Sequence, residues 1–317
     1  MNPVIVWEKG VPPLGRAVVA MGVFDGVHLG HQALIADAAR DARAHGLLCV
    51  ALTFDRDPEQ VVSPDAPSAQ LLTLADKTHF LLEAGADRVL VIPFDATLAT
   101  LSPELFFEHV VLEAAEPAAV HVGVDFRFGH FAQGDVSTLE ALGRRHGFGV
   151  SAHDLVAING APVTSTRIRR CIRSGDIRGA ALLLGRPHRV SGLVAHGRGA
   201  GARDLGIPTA NLVPVEHAAL PPDGVYAGVV VVDDLRHPAA VSVGIPPTFP
   251  RAHHRLEAHL LDVDTDLYGA TVTLEFHRLL REQTRFASTE ELAAAIRSDI
   301  EATRVLLAQS STPPSTE

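Results

Sequence analysis

Residues 21–31, which are rich in glycine, constrain the fold of this chain more than any other segment. The apolar residues 17–20 come before it, and residues 32–40, good helix formers with helical spacing, come after it. Glycines there allow the backbone to approach a ligand closely. The sequence therefore predicts a strand, a glycine-rich turn and a helix whose N-terminus offers N–H groups to a phosphate.

Two histidines of this segment, His28 and His31, are three residues apart and so share one face of the first helical turn. Imidazoles beside a phosphate cradle suit nucleotidyl transfer, because they stabilise the charge that develops during the reaction. Two alternatives stay open: a pair of packing or surface histidines, and half of a zinc site, which needs more ligands. The strand–turn–helix context favours the nucleotide site.

The composition limits the class of protein. With 317 residues, 47% of them hydrophobic, the chain is long enough for two domains with cores of their own. Its net charge of -10 argues against a nucleic-acid partner, so an anionic ligand must be held by local groups. The sequence has neither an apolar run of about 18 residues nor a signal-peptide pattern, which predicts a cytoplasmic protein without membrane contact.

Strand-like and helical runs alternate through the first half, as is typical of a parallel sheet with helices on both faces. Asp125, Phe126 and Arg127 follow the predicted strand 119–124. They suit a flat heterocycle, or equally a packed loop with an internal ion pair. Farther on, Ser165 and Thr166 precede Arg167 and Arg169. This order predicts a capped helix that grips a phosphate, or an ordinary capped surface helix.

The pattern changes from residue 189 onward. Short β-leaning runs alternate with turns, which predicts an antiparallel barrel, and a helix is predicted over residues 289–307. The Ser/Thr/Pro-rich residues 309–317 are predicted to be a disordered tail. We therefore expect a domain over residues 1–185 and a second over residues 186–308.

Two features of the second half have chemical potential. A glycine-rich arc that includes Gly197 and Gly206 leads to Pro208, Thr209 and Asn211, which can wrap a polyphosphate and present oxygens to Mg²⁺. In the strand-like residues 256–260, Glu257 and His259 are predicted to lie on one face of the strand and the three apolar residues on the other face. Glu257 could take a proton from a substrate hydroxyl, although solvent-facing glutamates on edge strands commonly give the same pattern.

Taken in order, the motifs resemble those of the bacterial bifunctional riboflavin kinase/FAD synthetases. The resemblance implies an α/β Rossmann-like FMN adenylyltransferase domain, followed by a six-stranded antiparallel β-barrel riboflavin kinase domain with a C-terminal helix. The barrel would phosphorylate riboflavin with ATP, and the first domain would join FMN to AMP, with Mg²⁺ in both steps. The matching segments are residues 22–31, 53–54, 122–123, 125–129, 134–135, 165–169, 184–187, 205–211, 224–226, 247–249, 256–259 and 266–269.

The resemblance also implies roles for residues. His28 and His31 would grip the ATP phosphates, and Glu257 would be the catalytic base of the kinase. Asp125, Phe126 and Arg127 would meet the flavin or the nucleotide. Thr209 and Asn211 would hold the metal, and Gly197, Gly206 and Pro208 would help them bind ATP. The other phosphate-binding residues of the first domain would be Gly22, Phe24, Asp25, Gly26, Ser165, Thr166, Arg167 and Arg169.

Among the positions that depart from the family pattern, two bear on the activity of the first domain. Asp57 stands where a histidine is usual, and Val124 where an acid is common. They leave open a paralogue with a weak or altered nucleotidyltransferase domain beside an active kinase. A non-catalytic flavin-binding protein is a third alternative. The resemblance does not specify an oligomeric state.

Overall fold

The computed structural model describes residues 2–10, 13–65, 67–195, 207–244, 256–263 and 267–310. By its internal contacts the chain divides into two compact units, Met1–Ser165 and Thr166–Glu317. None of the helices in the described part is long and apolar enough to cross a membrane.

The first unit is built on a six-stranded sheet in the order β1-β4-β3-β2-β5-β6, in which every neighbouring pair is parallel. The predicted parallel sheet is therefore confirmed. A hairpin of β7 and β8 follows it. The strands are β1 (Val4–Val6), β2 (Arg16–Met21), β3 (Leu48–Phe54), β4 (Arg88–Ile92), β5 (Glu116–Gly123), β6 (Gly149–His153), β7 (Ala157–Ile158) and β8 (Ala161–Pro162).

Helices connect these strands. The longest, α1, begins after the glycine-rich turn and ends at Gly46, which has a left-handed φ of 67°. The α-helices of the first unit are α1 (Leu29–His45), α2 (Glu59–Val62), α3 (Leu74–Glu83), α4 (Pro103–Phe106), α5 (Leu112–Ala114), which follows a π-helical turn (Phe107–Val111), and α6 (Val136–His146). Helix α7 (Ser165–Arg173) begins at the last residue of this unit.

Strand β2 is central and is buried on both faces, which explains its continuous apolar sequence. Val19 and Met21 enter one core cluster, whereas Val18 and Ala20 enter the other, to which α1 contributes. From β2 the chain winds outward to β3 and β4, and then returns to β5 on the other side. The crevice at the carboxyl ends of β2 and β5 is thus the topological switch point, where ligands bind in open α/β sheets.

The sequence patterns missed β1 and β6, which are the two edges of the sheet. The first has three residues and pairs with β4, and the second contains glycine, serine and histidine. Edge strands bury less apolar surface than central ones and therefore carry a weaker hydrophobic pattern.

The second unit contains a closed barrel in the order β10-β13-β12-β11-β14-β9, with antiparallel pairs throughout. This confirms the predicted six-stranded barrel and its C-terminal helix, although the sequence patterns do not single out β10 as a strand. Helix α9 continues to Ser310, and residues 311–317 of the predicted tail lie outside the described residues. The elements are α8 (Ile177–Leu184), β9 (His188–Ala195), β10 (Ala210–Pro214), β11 (Gly224–Val232), β12 (Leu235–Val243), β13 (Leu256–Leu260), β14 (Thr271–Glu282) and α9 (Thr289–Ser310).

Candidate functional site

The turn between β2 and α1 ends in a histidine cap. His28 has extended backbone angles, and its Nδ1 accepts the backbone N–H of His31 at 3.3 Å. Histidine is not among the residues that usually cap helices. Because Nδ1 accepts, the proton of the neutral ring lies on Nε2. The cap thus leaves His28 with Nε2–H as its ring donor at the N-terminus of α1.

The two predicted histidines lie together. Their rings stack with centroids 3.6 Å apart, and the ring of Phe24 meets His31 edge-on at 5.2 Å. Gly30 makes room for this stack, since a Cβ at that position would lie 3.1 Å from Cε1 of His28. Likewise, a Cβ on Gly22 would lie 3.0 Å from the ring of Phe24.

The backbone of this turn is strained. Phe24 and Val27 are buried and have positive φ values of 55° and 37°, beside Gly26 at 83°. Positive φ is unusual for a β-branched residue and costs on the order of 1–3 kcal/mol. Strain of this kind persists where surrounding contacts enforce it, and it is concentrated at ligand sites.

Contacts from distant segments enforce the turn. The Asp25 carboxylate accepts the backbone N–H of Leu71 at 3.1 and 3.3 Å, and the backbone carbonyl oxygen of Asp25 accepts a hydrogen bond from Ser165 Oγ at 2.8 Å. Asp25 and Ser165, which were predicted as phosphate ligands, thus hold the shape of the turn. Ser165 is the first residue of α7, on which Thr166, Arg167 and Arg169 follow.

A buried lysine that the sequence analysis did not identify supports the same turn. Lys77 donates from Nζ to the carbonyl oxygens of Val23 at 3.3 Å and Phe54 at 2.8 Å. Burial lowers the pKa of Lys77 to about 8, against the opposing effect of nearby aspartates, Asp25 first. Helical spacing could have revealed it, because Lys77 lies one turn before the buried Leu81 on the apolar face of α3.

The two departures from the family pattern have local partners. The carboxylate of Asp57 accepts the backbone N–H of Glu59 at 3.0 Å, in the first turn of α2. Val124 is exposed, and its backbone N–H donates to the carbonyl oxygen of His153 at 3.0 Å.

The predicted flavin loop follows β5 at the switch point. Asp125 and Arg127 are exposed, whereas the ring of Phe126 stacks on buried Phe128 at 5.4 Å. Phe131 in the same loop is 81% exposed and has a φ of 51°. It is a further aromatic group that spacing alone did not single out.

In the barrel, strand register brings predicted residues together. Asn211 of β10 is directly opposite Glu257 of β13, and Ser242 of β12 is opposite Glu257 on the other side. Directly opposed residues have Cβ atoms about 4.5–5.5 Å apart and share a face. As expected, Leu256, Ala258 and Leu260 are buried in the core, so Glu257 faces outward.

The segment that leads into β10 is tied to this face. His259 Nδ1 lies 2.7 Å from the carbonyl oxygen of Pro208, one residue before Thr209. Because a carbonyl only accepts, this ring nitrogen carries the proton. Gly197 and Gly206, the predicted glycine arc, lie outside the described residues.

A second barrel glutamate, Glu275, is 2% exposed. Arg189 donates to Oε1 at 2.8 Å, and Arg236 donates to Oε2 at 2.6 Å. Burial by itself would raise the pKa of Glu275, but His277 and Arg236 lower it to about 2. This carboxylate is therefore a poor proton acceptor.

The first unit is a parallel α/β unit with a histidine-capped glycine turn at its switch point, and the second contains a closed barrel with an outward Asn–Glu pair. Together they define the class of protein, a two-module nucleotide-dependent transferase. Residues 12–167 match the family model described as FAD synthetase, and residues 184–307 match riboflavin kinase. The chain belongs to the family of bifunctional riboflavin kinase/FMN adenylyltransferases.

Relatives that carry this family name are similar over nearly their whole length. The Pseudomonas fluorescens protein is 38% identical over 296 residues, which are 92% of this chain and 94% of that protein. The Escherichia coli K12 protein is 34% identical, with the same coverage, and the Bacillus subtilis protein is 31% identical over 90% of each chain.

A solved structure from Streptococcus pneumoniae, titled as a macrolide-efflux protein, has a TM-score of 0.83 and 30% identity. The alignment covers 96% of this chain and 99% of that one. Its title differs from the names of the curated relatives and describes that protein alone.

Proposed function

We propose that the barrel unit phosphorylates riboflavin with ATP to give FMN, and that the α/β unit joins FMN to AMP from a second ATP to give FAD and pyrophosphate. The observation that carries the proposal is that one chain holds both the histidine-capped turn and the Asn211–Glu257 pair. A cytoplasmic location, where ATP is abundant, is part of the proposal.

In the kinase step, Glu257 takes the proton from the ribityl hydroxyl, whose oxygen attacks the terminal phosphorus of ATP as ADP leaves. Glu257 suits this role better than Glu275, because two arginines and His277 hold Glu275 as a weakly basic carboxylate. Asn211, which is buried, lies opposite Glu257 and orients the phosphate chain toward it.

The oxygen donors at the start of β10 fit Mg²⁺, which prefers hydroxyl, amide and phosphate oxygens. Thr209 and Asn211 would hold the ion, with Gly197, Gly206 and Pro208 around the ATP phosphates. When bound, Mg²⁺ neutralises phosphate charge. Positioning and neutralisation supply most of the catalysis in phosphoryl transfer.

In the adenylyl transfer, the phosphate oxygen of FMN attacks the α-phosphorus of ATP and pyrophosphate leaves. His28 donates from Nε2 and His31 from its ring to the phosphates, at the positive end of α1. Gly22 and Gly26 allow the backbone to approach. Thr166, Arg167 and Arg169 are proposed to neutralise the phosphates from α7.

Other predicted residues of this unit have supporting roles. Asp25, Phe24 and Ser165 are proposed to hold the shape of the turn: the Asp25 carboxylate accepts from Leu71, Ser165 donates to the Asp25 carbonyl oxygen, and Phe24 packs against His31. Asp125, Phe126 and Arg127 are proposed to contact the flavin or the adenine at the end of β5.

Incubation of the pure protein with riboflavin, ATP and Mg²⁺, followed by chromatography with flavin fluorescence, tests both steps. We expect FMN first and FAD later, and FAD with pyrophosphate when FMN is supplied. Folded protein that makes no FMN would reject the kinase half, and failure to convert FMN would reject the other half.

Asp57 and Val124 motivate a second candidate, an α/β unit with altered specificity. Parallel reactions of FMN with ATP, GTP, CTP and UTP distinguish it, because preference for another nucleotide would favour the altered unit. Tight flavin binding without turnover would favour the non-catalytic alternative.

A further inference from the structure

Four side chains outside the proposed sites form a continuous chain of contacts. Asp41 Oδ2 lies 3.0 Å from His121 Nε2, His121 Nδ1 lies 2.9 Å from His153 Nε2, and His153 Nδ1 lies 3.3 Å from Asp37 Oδ2. Asp37 and Asp41 are one turn apart on α1, and the histidines lie on β5 and β6. We call His121 and His153 the histidine pair.

The histidine pair joins two parts of the proposed adenylyl-transfer site. On one side it contacts α1, the helix that begins at the His28 cap. On the other, His153 is opposite Gly123 at the carboxyl end of β5, and its carbonyl oxygen accepts the N–H of Val124 at 3.0 Å. Val124 leads directly into the loop of Asp125. The pair therefore links the middle of α1, the helix that His28 caps, to the predicted flavin loop.

The contacts specify how many protons the pair holds. Carboxylate oxygens accept hydrogen bonds, so Asp37 and Asp41, with side chains 36% and 28% exposed, face the two rings as acceptors. One proton on His121 Nε2 and one on His153 Nδ1 would satisfy them. With one further proton between the facing nitrogens of the two rings, the pair would hold three protons and one positive charge. Without it two lone pairs face each other, and with one more, two N–H groups do.

The surroundings oppose a second positive charge on the pair. On α1, Arg40 pairs with Asp37, and His45 Nδ1 lies 3.0 Å from Asp41 Oδ1. Burial first, and then the charge of His121, lower the pKa of His153, although Asp37 opposes them. A second positive charge on the pair is thus disfavoured, whereas one charge is balanced by the two carboxylates.

We propose that the singly protonated histidine pair is a positioning element for FMN adenylylation, which holds the tip of α1 in register with the loop of Asp125. This inference rests on the proposed function. Gain or loss of the shared proton breaks the chain at its centre. The kcat for FAD formation then falls at both acidic and alkaline pH, whereas FMN formation by the barrel does not depend on the pair.

The test compares His153→Leu, His153→Gln and a control, His109→Leu, whose side chain is 62% exposed. His153→Leu cannot bridge, so its kcat for FAD formation is expected to fall about tenfold to hundredfold, the loss typical of a small misplacement. The amide of His153→Gln can donate to both Asp37 and a neutral His121. It is expected to restore kcat at neutral pH and to remove the alkaline decline.

FMN formation by the same samples is the internal reference, and ¹⁵N-histidine spectra at neutral pH count the protons on the pair directly. The proposal is overturned if His153→Leu keeps the parental kcat and pH profile, if FMN formation falls equally, if His153→Gln fails to restore kcat, or if both rings are neutral. If the parental protein forms no FAD, the proposed function fails and this proposal fails with it. If it forms FAD and the variants match it, this proposal alone fails.

Discussion

Asn211 is directly opposite Glu257 across the β10–β13 pair, so an amide and a carboxylate that are far apart in the chain share the outer face of the barrel. On its other side, Glu257 is opposite Ser242 of β12. The hydroxyl of Ser242 accepts a hydrogen bond from Gln283 Nε2 at 2.9 Å. Glu257 is thus flanked by polar groups on both neighbouring strands. This setting suits a base that must hold a substrate hydroxyl.

Glu257→Gln keeps the size of the side chain but removes its ability to accept a proton. We expect kcat for FMN formation to fall by about 10²–10⁴-fold, the usual contribution of a general base, with FAD formation from supplied FMN unchanged. Chromatography of the flavins measures both rates. Glu216→Gln is the control, because that side chain is 88% exposed. Equal loss of both activities would contradict independent sites.

His28 is expected to act through its imidazole and not only as a helix cap. His28→Ala removes both functions, whereas His28→Asn keeps a side-chain oxygen that caps well. We expect both variants to lose about 10²–10³-fold in FAD formation, and only the alanine variant to lose about 0.5–2 kcal/mol of unfolding free energy. Urea titration and flavin assays separate the two effects. Full activity in His28→Asn would assign His28 to capping alone.

Gly30→Ala is expected to affect stability and function in opposite directions. Alanine should favour the helix by up to about 1 kcal/mol, but its Cβ would lie 3.1 Å from the His28 ring and displace it. We expect an unfolding temperature that is unchanged or higher, together with a raised KM for ATP in FAD formation. Gly149→Ala is the matched control, because its Cβ would meet its nearest neighbour at 3.8 Å. An unchanged KM in Gly30→Ala would show that the ring position is unimportant.

Lys77 is expected to make the unfolding free energy depend on pH in the alkaline range. Its pKa falls from 10.5 to about 8 in the folded protein because of burial. Between these values the unfolded chain binds more protons, so this residue makes the unfolding free energy rise with pH, by up to about 3 kcal/mol. Lys77→Met should lack this rise. Urea unfolding at about pH 7.5 and pH 10 measures the difference between the two proteins, and parallel curves would contradict the assignment.

The strand–turn–helix around His28 and the outward face of Glu257 could be predicted because each depends on local periodicity. Apolar residues before the turn, glycines within it and helix formers after it fix that unit over a short stretch of chain. Alternation in residues 256–260 likewise fixes which side chains face the core. Both predictions were confirmed as structure, while the catalytic roles stay proposals.

What the sequence by itself determined, then, was the type and order of elements, because short-range sterics and hydrophobic spacing act between neighbours in the chain. Only the tertiary structure decided that Lys77 supports Val23, that Asp25 holds Leu71, and which residue lies opposite Glu257. It also decided the meeting of His121 with His153, which are 32 residues apart. Strand order and register set these contacts, and they depend on packing across the whole unit, which no local pattern encodes.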